Sequence, residues 1–288
     1  MAGPVAALVL GAMAMGASPI FVRFADVGPF TSAFWRVALA LPALWLWARL
    51  ERAGAAADRP PPPWDRAVVA AGALFAGDLI FWHLSIHHTT MANATLLAVL
   101  APVWVAMGSF LFIGERVGGG AFVGLALCLA GAAALVGASF ALAPERLLGD
   151  AYGLATSLFF GGYFLAVRVA RRTAPSGLIM YRSSLVTAAV LLVAALIAED
   201  RFWPQSAEGI ATLVVMALVS QVAGQGLLAY ALGHLSAAFS SLVIFLEALF
   251  AALLGFLVFD ETLTAPQLAG AAAILAGIWV ARPRRAAG

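Results

Sequence analysis

The sequence contains a single cysteine and no lysine, and only 10% of its 288 residues are charged. Cys128 alone cannot form an intramolecular disulfide or a cysteine-cluster metal site, so we interpret it as a small core residue. The scarcity of charge goes with 64% apolar residues and a mean hydropathy of +1.00, which excludes a soluble domain of ordinary composition. The composition therefore favours an integral membrane protein in a lipid bilayer.

Several sequence patterns of enzymes and ATP-driven pumps are also missing. The chain has no Gly-rich phosphate loop, no HExxH motif and no Ser/His/Asp arrangement. It also lacks the paired acidic motif that holds magnesium in diphosphate chemistry. We therefore expect no cofactor, no metal and no direct ATP drive, which leaves an integral-membrane enzyme as the weaker alternative.

Ten apolar segments have the length of a helical membrane crossing, which needs about 20 residues. The first segment lacks a basic start and a convincing cleavage site, so we expect a retained helix rather than a signal peptide. The sequence thus predicts an all-α membrane protein with ten transmembrane helices. The segments are 4–24, 29–50, 66–86, 90–113, 118–138, 150–170, 177–197, 209–232, 236–259 and 265–281.

The arginines predict how the chain is oriented. With a cytoplasmic N-terminus, the outer loops hold only Arg23, Arg146 and Arg201, and most other arginines fall on the inner side. The positive-inside rule then places both termini in the cytoplasm, for a protein of the bacterial inner membrane. Because this asymmetry accounts for the pI near 9.1, we expect no nucleic acid partner.

An internal repeat appears when the sequence is shifted by 146 positions onto itself. Because each copy would hold five helices, an odd number, the second copy enters the membrane from the opposite side. We predict two inverted five-helix repeats, residues 1–142 and 143–288, an architecture typical of secondary transporters that work by alternating access. The aligned pairs include Arg36 with Arg182, His88 with His234, Glu115 with Glu261, Gly124 with Gly270 and Gly131 with Gly277.

The stretches GASPIFVRFADVGPFTSAFWRVALALP, GERVGGGAFVGLALCLAG and DETLTAPQLAGAAAILAG resemble the EamA branch of the drug/metabolite transporter superfamily. Length and helix layout are similar to the YddG-type amino acid exporters of that branch. The resemblance implies export of amino acids, including aromatic ones, or of drugs and other metabolites. It also implies a central cavity lined by helices 3, 4, 8 and 9 with 1 and 6, while helices 5 and 10 lie at the periphery or at a homodimer contact.

Polar residues near the bilayer centre are costly, so they need a cavity or a partner. We predict that Asp78 or Glu247 meets an amino group or a coupling proton, and that aromatic side chains form apolar walls. The alternative for each aromatic residue is an anchor at the membrane interface. The predicted binding residues are Asp78, Trp82, His83, Asn93, Trp104, Tyr163, Gln221, Gln225, Tyr230, Ser241 and Glu247.

Two ion pairs and two hinges complete the prediction. The repeat places Arg36 at the level of Glu261 and Arg182 at the level of Glu115, so we predict that each pair is an ion pair. The alternative is that each charged side chain extends to its own interface. Pro19 and Pro102 lie inside apolar segments and each removes a backbone hydrogen bond, which predicts hinges for alternating access.

Overall fold

A computed structural model describes residues 2–54, 63–89, 91–136, 144–259 and 264–282. Across these ranges the regular structure is entirely helical, with two π-helical segments, Ser109–Ile113 and Ala217–Gln225. The α-helices are α1 (Ala2–Gly16), α2 (Ser18–Phe24), α3 (Pro29–Ala38), α4 (Leu41–Gly54), α5 (Arg66–His88), α6 (Met91–Ala98), α7 (Ala101–Gly108), α8 (Gly119–Val136), α9 (Leu147–Ala170), α10 (Ser176–Ala198), α11 (Ala207–Met216), α12 (Gly226–Leu232), α13 (Ala237–Val243), α14 (Phe245–Phe259) and α15 (Ala265–Ala281).

Eight stretches within the described ranges are long and apolar enough to cross a membrane. The apolar stretches of α8 and α15, Gly119–Leu135 and Ala265–Ala281, are shorter, at 17 residues each. A helix of 17 residues is about 26 Å long, slightly less than a hydrocarbon core of about 30 Å. The all-helical membrane fold is confirmed, and eight of the ten predicted crossings reach spanning length. The eight are Ala2–Val22, Pro29–Ala53, Arg66–His88, Leu96–Ile113, Pro144–Ala170, Ser176–Ala198, Ala207–Leu232 and Ala237–Leu254.

Breaks in the helices divide several spans. Pro19 and Pro102 each occupy the first turn of a new helix, α2 and α7, where a residue without an N–H is tolerated. Two further breaks, at residues 39–40 and at Ile244, separate α3 from α4 and α13 from α14. The two predicted hinge residues therefore coincide with real interruptions of the helical hydrogen bonding.

Helices α8 and α15 pack against each other through glycines. A Cβ on Gly124 would lie 2.5 Å from the carbonyl oxygen of Gly277, and a Cβ on Gly131 would lie 2.5 Å from that of Gly270. Because residue numbers rise along one helix as they fall along the other, the two helices are antiparallel. Their backbones approach this closely because glycine has no side chain.

Charged residues hold loops together at one end of the bundle, where residues 113–118, 168–175 and 229–236 meet; we call this the arginine-rich end. Arg168 Nε lies 2.6 Å from Glu115 Oε1. Arg168 Nη1 also donates to the carbonyl of Leu232 at 2.7 Å, and the Ala237 amide donates to Glu115 Oε2 at 3.2 Å. This network ties the ends of four spans together.

The loops at the opposite end of the bundle are held together by different contacts. The Asp26 carboxylate accepts hydrogen bonds from the amides of Gln205 and Ser206, at 2.9 and 2.7 Å. Asp150 Oδ1 accepts from the hydroxyl of Thr89 at 2.7 Å. The loops thus segregate to two ends, as alternating membrane crossings require.

The outer surface of the bundle is apolar. The side chains of Phe112 and Ile197 are each 81% exposed, whereas Leu8 and Leu191 are fully buried in the core. Large exposed apolar side chains on many helices would be a liability in water and are the natural surface of a protein in lipid.

Candidate substrate site

A cavity of about 210 Å³ lies in the middle of the bundle and is lined by residues of both halves of the sequence. Its walls come from the spans that contain α1, α3, α5, α7, α9, α12 and α14, as the family resemblance implied, with α3 in addition. The polar lining residues are Ser18, Arg36, Asp78, Thr156, Gln225, Ser241 and Glu247. The aromatic ones are Phe75, Trp82, Phe160, Phe164 and Phe245.

Helix α5 contributes one continuous face to the cavity. Phe75, Asp78, Leu79 and Trp82 recur at helical spacing and all line it, so Asp78 and Trp82 share a face of α5. Ser85, one turn further on, leaves this face, because its hydroxyl is buried and donates to the carbonyl of Gly149 at 2.9 Å.

Three charged side chains face the cavity. Arg36 and Asp78 are each only 9% exposed, and both line the cavity together with Glu247. Among the described residues, however, no ion pair within 4.0 Å joins Arg36 to either carboxyl group. The site therefore holds one basic and two acidic side chains without direct pairing between them.

Gln225 is held in place from behind by Tyr163. The Tyr163 hydroxyl donates to Gln225 Oε1 at 2.9 Å, and its ring centroid lies 4.9 Å from that of Phe75. Tyr163 is only 1% exposed and does not line the cavity. Tyr163 instead contacts Gln225 and Phe75, which do line the cavity.

Two predicted binding residues, His83 and Asn93, lie away from the cavity. His83 Nδ1 lies 2.6 Å from the carbonyl oxygen of Leu79, and its ring packs against Phe30 with centroids 5.7 Å apart. Asn93 is buried, and its amide donates to Asp150 Oδ1 at 3.0 Å. His83 Nδ1 and the Asn93 amide are thus directed to protein atoms and not to the cavity.

Trp104, Gln221 and Tyr230 also lie outside the cavity lining. Trp104 Nε1 donates to Ser157 Oγ at 2.9 Å, and Gln221 Nε2 donates to Ser184 Oγ at 3.3 Å. Gln221 and Gln225 lie on the same π-helical segment but contact different partners, Ser184 and Tyr163. Tyr230 is 37% exposed at the surface of the bundle.

The ion pairs differ from the prediction. Glu115 pairs with Arg168, which ends the neighbouring span, and not with Arg182. Arg182 instead donates to the carbonyl of Pro63 at 3.1 Å, because it faces the linker before α5. Arg36 faces the cavity, and its predicted partner Glu261 lies outside the described residues.

Sequence reasoning missed the cavity role of Arg36 and of four phenylalanines. The role of Arg36 could have been suggested by the sequence, because a charged residue inside a span needs a cavity or a partner. The phenylalanines carried none, since nothing distinguishes them from the other Phe residues of the chain. Within the described ranges no group of three or more His, Cys, Asp or Glu side chains could hold a metal ion.

A helical membrane bundle that surrounds a small, partly charged cavity is the arrangement of a membrane transporter. The sequence profile of the EamA-like transporter family matches residues 3–137 and again residues 147–282. The chain therefore belongs to the EamA-like transporter family.

Curated relatives and a solved structure agree with this assignment. An uncharacterized transporter of Archaeoglobus fulgidus is 29% identical over 279 residues, which cover 96% of this chain and 95% of that protein. The pseudopaline exporter CntI of Pseudomonas aeruginosa is 26% identical over 237 residues, which cover 82% of this chain and 80% of the exporter. A solved crystal structure matches 97% of both chains with a TM-score of 0.82 and 20% identity, which shows a shared fold.

Proposed function

We propose that the protein is a secondary transporter that exports amino acids and related small metabolites across the bacterial inner membrane by alternating access. The observation that carries the proposal is the central cavity, where both halves of the chain supply charged and aromatic side chains. Export is supported by the similarity to an exporter. Drugs or other metabolites are the alternative cargo.

The proposed architecture is two inverted five-helix repeats, residues 1–142 and 143–288. The family profile matches the chain twice, once in each half. The α8–α15 contact supports inversion, because Gly124 meets the counterpart of Gly131, and Gly131 meets the counterpart of Gly124, under the shift of 146.

A pair of helix caps supports the same symmetry. The Glu199 carboxylate accepts from the amide of Thr31 at 3.0 Å, at the start of α3. The Glu51 carboxylate accepts from the amide of Gly177 at 2.6 Å, at the start of α10. Thr31 and Gly177 are 146 positions apart, so each half caps the equivalent helix of the other.

We assign Asp78 and Glu247 to the substrate's amino group, with Trp82 and the phenylalanines as apolar walls. An ammonium over an aromatic face gains about 0.5–2 kcal/mol, which favours binding without trapping the cargo. Ser241 and Gln225 add polar contacts, and Tyr163 positions Gln225. Pro19 and Pro102 are the proposed hinges, because each begins a new helix beside the cavity.

Flux measurements in proteoliposomes test this function. We expect saturable, competable flux of at least one labelled amino acid, measured with and without a pH gradient. Asp78→Asn should reduce kcat/KM at least tenfold, the loss of roughly 1.4 kcal/mol expected for one charged hydrogen bond. Asp200→Asn is the matched control, because Asp200 is exposed in a loop.

Three results would contradict the proposal. Flux that never saturates indicates a channel, and no flux of any amino acid excludes them as cargo. Normal transport by both Asp78→Asn and Glu247→Gln would show that these carboxylates do not bind the substrate.

A further inference from the structure

We infer that Arg36 binds the carboxylate of the cargo, so that the cavity selects small molecules that carry an amino group and a carboxylate together. The inference rests on the proposed function and narrows its substrate class. The sequence suggested an ion pair with Glu261 for this residue, whereas the structure directs its guanidinium to the cavity.

Arg36 has unused hydrogen-bonding capacity. A guanidinium carries five N–H donors in a planar fork that matches the geometry of a carboxylate. In the described part of the chain, Nη1 donates to Ser18 Oγ at 3.1 Å, while the buried Nε has no partner. The guanidinium also lies 5.9 Å from the centroid of the Phe75 ring. A buried donor without an acceptor is costly, and a ligand oxygen would relieve that cost.

Two acidic side chains share the cavity with the guanidinium of Arg36 without pairing with it. Asp78 and Glu247 face the same cavity as Arg36, and neither comes within 4.0 Å of the guanidinium nitrogens. A ligand that carries an ammonium group and a carboxylate can pair with an acidic side chain of the cavity and with Arg36 at the same time. A ligand with one charge leaves the opposite protein charge buried without a partner, which is strongly unfavourable.

The rest of the lining indicates which side chains the cargo has. Five aromatic residues surround the charged groups, and the cavity of about 210 Å³ has room for roughly seven waters. Apolar and aromatic amino acids fit this environment, whereas a second carboxylate on the cargo would find no basic side chain other than Arg36 in the lining.

Competition with analogues tests the inference on the unmodified protein. The amino acid with the largest flux is followed as labelled cargo, against its methyl ester, its decarboxylated amine and its deaminated acid. For phenylalanine these are phenylalanine methyl ester, phenethylamine and 3-phenylpropanoate. We expect each analogue to compete at least tenfold less well than the amino acid. An ester or an amine that competes equally well overturns the role of Arg36.

Arg36→Gln tests the residue itself. We expect the apparent affinity for the amino acid to fall at least tenfold while that for its methyl ester is unchanged, because the ester has no carboxylate to lose. Arg36→Lys should restore part of the difference, since it keeps the charge but not the fork. Arg182→Gln is the matched control, because this arginine aligns with Arg36 in the repeat but contacts Pro63 and Trp64.

The possible failures are distinguishable. An equal loss of affinity for acid and ester in Arg36→Gln shows a structural role and overturns the inference alone. If this variant does not fold, the analogue series on the unmodified protein decides the question. No saturable flux of any amino acid overturns the proposed function, and the inference with it.

Discussion

Two groups of buried polar residues differ in what their side chains contact. In the first, side chains are hydrogen-bonded to another part of the protein, as Asn93 is to Asp150 and Trp104 is to Ser157. In the second, Arg36, Asp78 and Glu247 face the cavity, where ligand or water can reach them. Because charged residues in a membrane span need a cavity or a partner, the second group defines the site better than polarity alone.

Tyr163→Phe tests the support that lies behind the cavity. The change removes the hydroxyl that donates to Gln225, so we expect a loss of about 1 kcal/mol, or roughly a fivefold rise in KM. The measurement is amino acid flux in proteoliposomes. Tyr230→Phe is the control, because Tyr230 is exposed and outside the cavity lining. Equal KM values in the two variants would contradict a positioning role for Tyr163.

Some of the individual residues that line the cavity could be predicted from the sequence. Asp78 and Glu247 were predictable because a carboxylate in the middle of an apolar segment has few acceptable environments. Gln221 and Tyr230 were assigned wrongly to the cavity lining, since sequence does not reveal whether a partner such as Ser184 lies opposite. The phenylalanine walls depend entirely on tertiary packing.

Among the helices, α9 has an unusual C-terminus. Arg168 donates to the carbonyl of Leu232, Arg171 to that of Ala229 at 3.0 Å, and Arg172 to that of Ile113 at 3.1 Å. Carbonyls near helix C-termini lack helical partners, and cations are favourable there. These arginines thus cap neighbouring helices. They also belong to the set of arginines from which the positive-inside rule predicts the orientation of the chain in the membrane.

Gly131→Val tests the α8–α15 contact. The new Cβ would lie 2.5 Å from the backbone carbonyl of Gly270, which cannot rotate away. We expect a loss of about 1–3 kcal/mol in stability, seen as a lower Tm of the purified protein in detergent. Gly119→Val is the control, because a Cβ there has no atom within 4 Å. An equal Tm for both variants would show that the close approach is not needed.

The positions of the helices were largely predictable, but their interruptions were not. Ten apolar segments follow from hydropathy, and prolines mark the breaks at Pro19 and Pro102. The break at Ile244 has no proline, and the π-helical segment Ala217–Gln225 has no sequence signal of its own. Both depend on which backbone groups find partners after the helices pack.

At the scale of the whole molecule, the two ends of the bundle are held by different contacts. The arginine-rich end is held by the Glu115–Arg168 pair, and the other by Asp26, Asp150 and neighbouring loops. The proposed alternating access would require these two sets of contacts to break in turn. Their different chemistry means that ionic strength need not affect both ends equally.

The inverted topology can be tested with cysteine labelling. His88 and His234 occupy equivalent positions in the proposed repeats, and both are exposed. In a Cys128→Ala background, we expect a membrane-impermeant maleimide to label His88→Cys from outside intact cells. His234→Cys should react only after permeabilisation. Labelling of both from the same side would show that the two halves are not inverted.

The all-helical membrane fold was predictable because it depends on length and hydropathy, which are both sequence properties. The cavity geometry was not, because it depends on how α3, α5, α9 and α14 meet. Arg36 illustrates the limit: its level in the membrane could be inferred, but not that its side chain faces Asp78 and Glu247 rather than the outer loop.

The glycine crossing of α8 with α15 is self-complementary, because each helix offers the other the same pair of small residues. A larger residue at any one of these four positions would therefore separate both helices, whichever helix carries it.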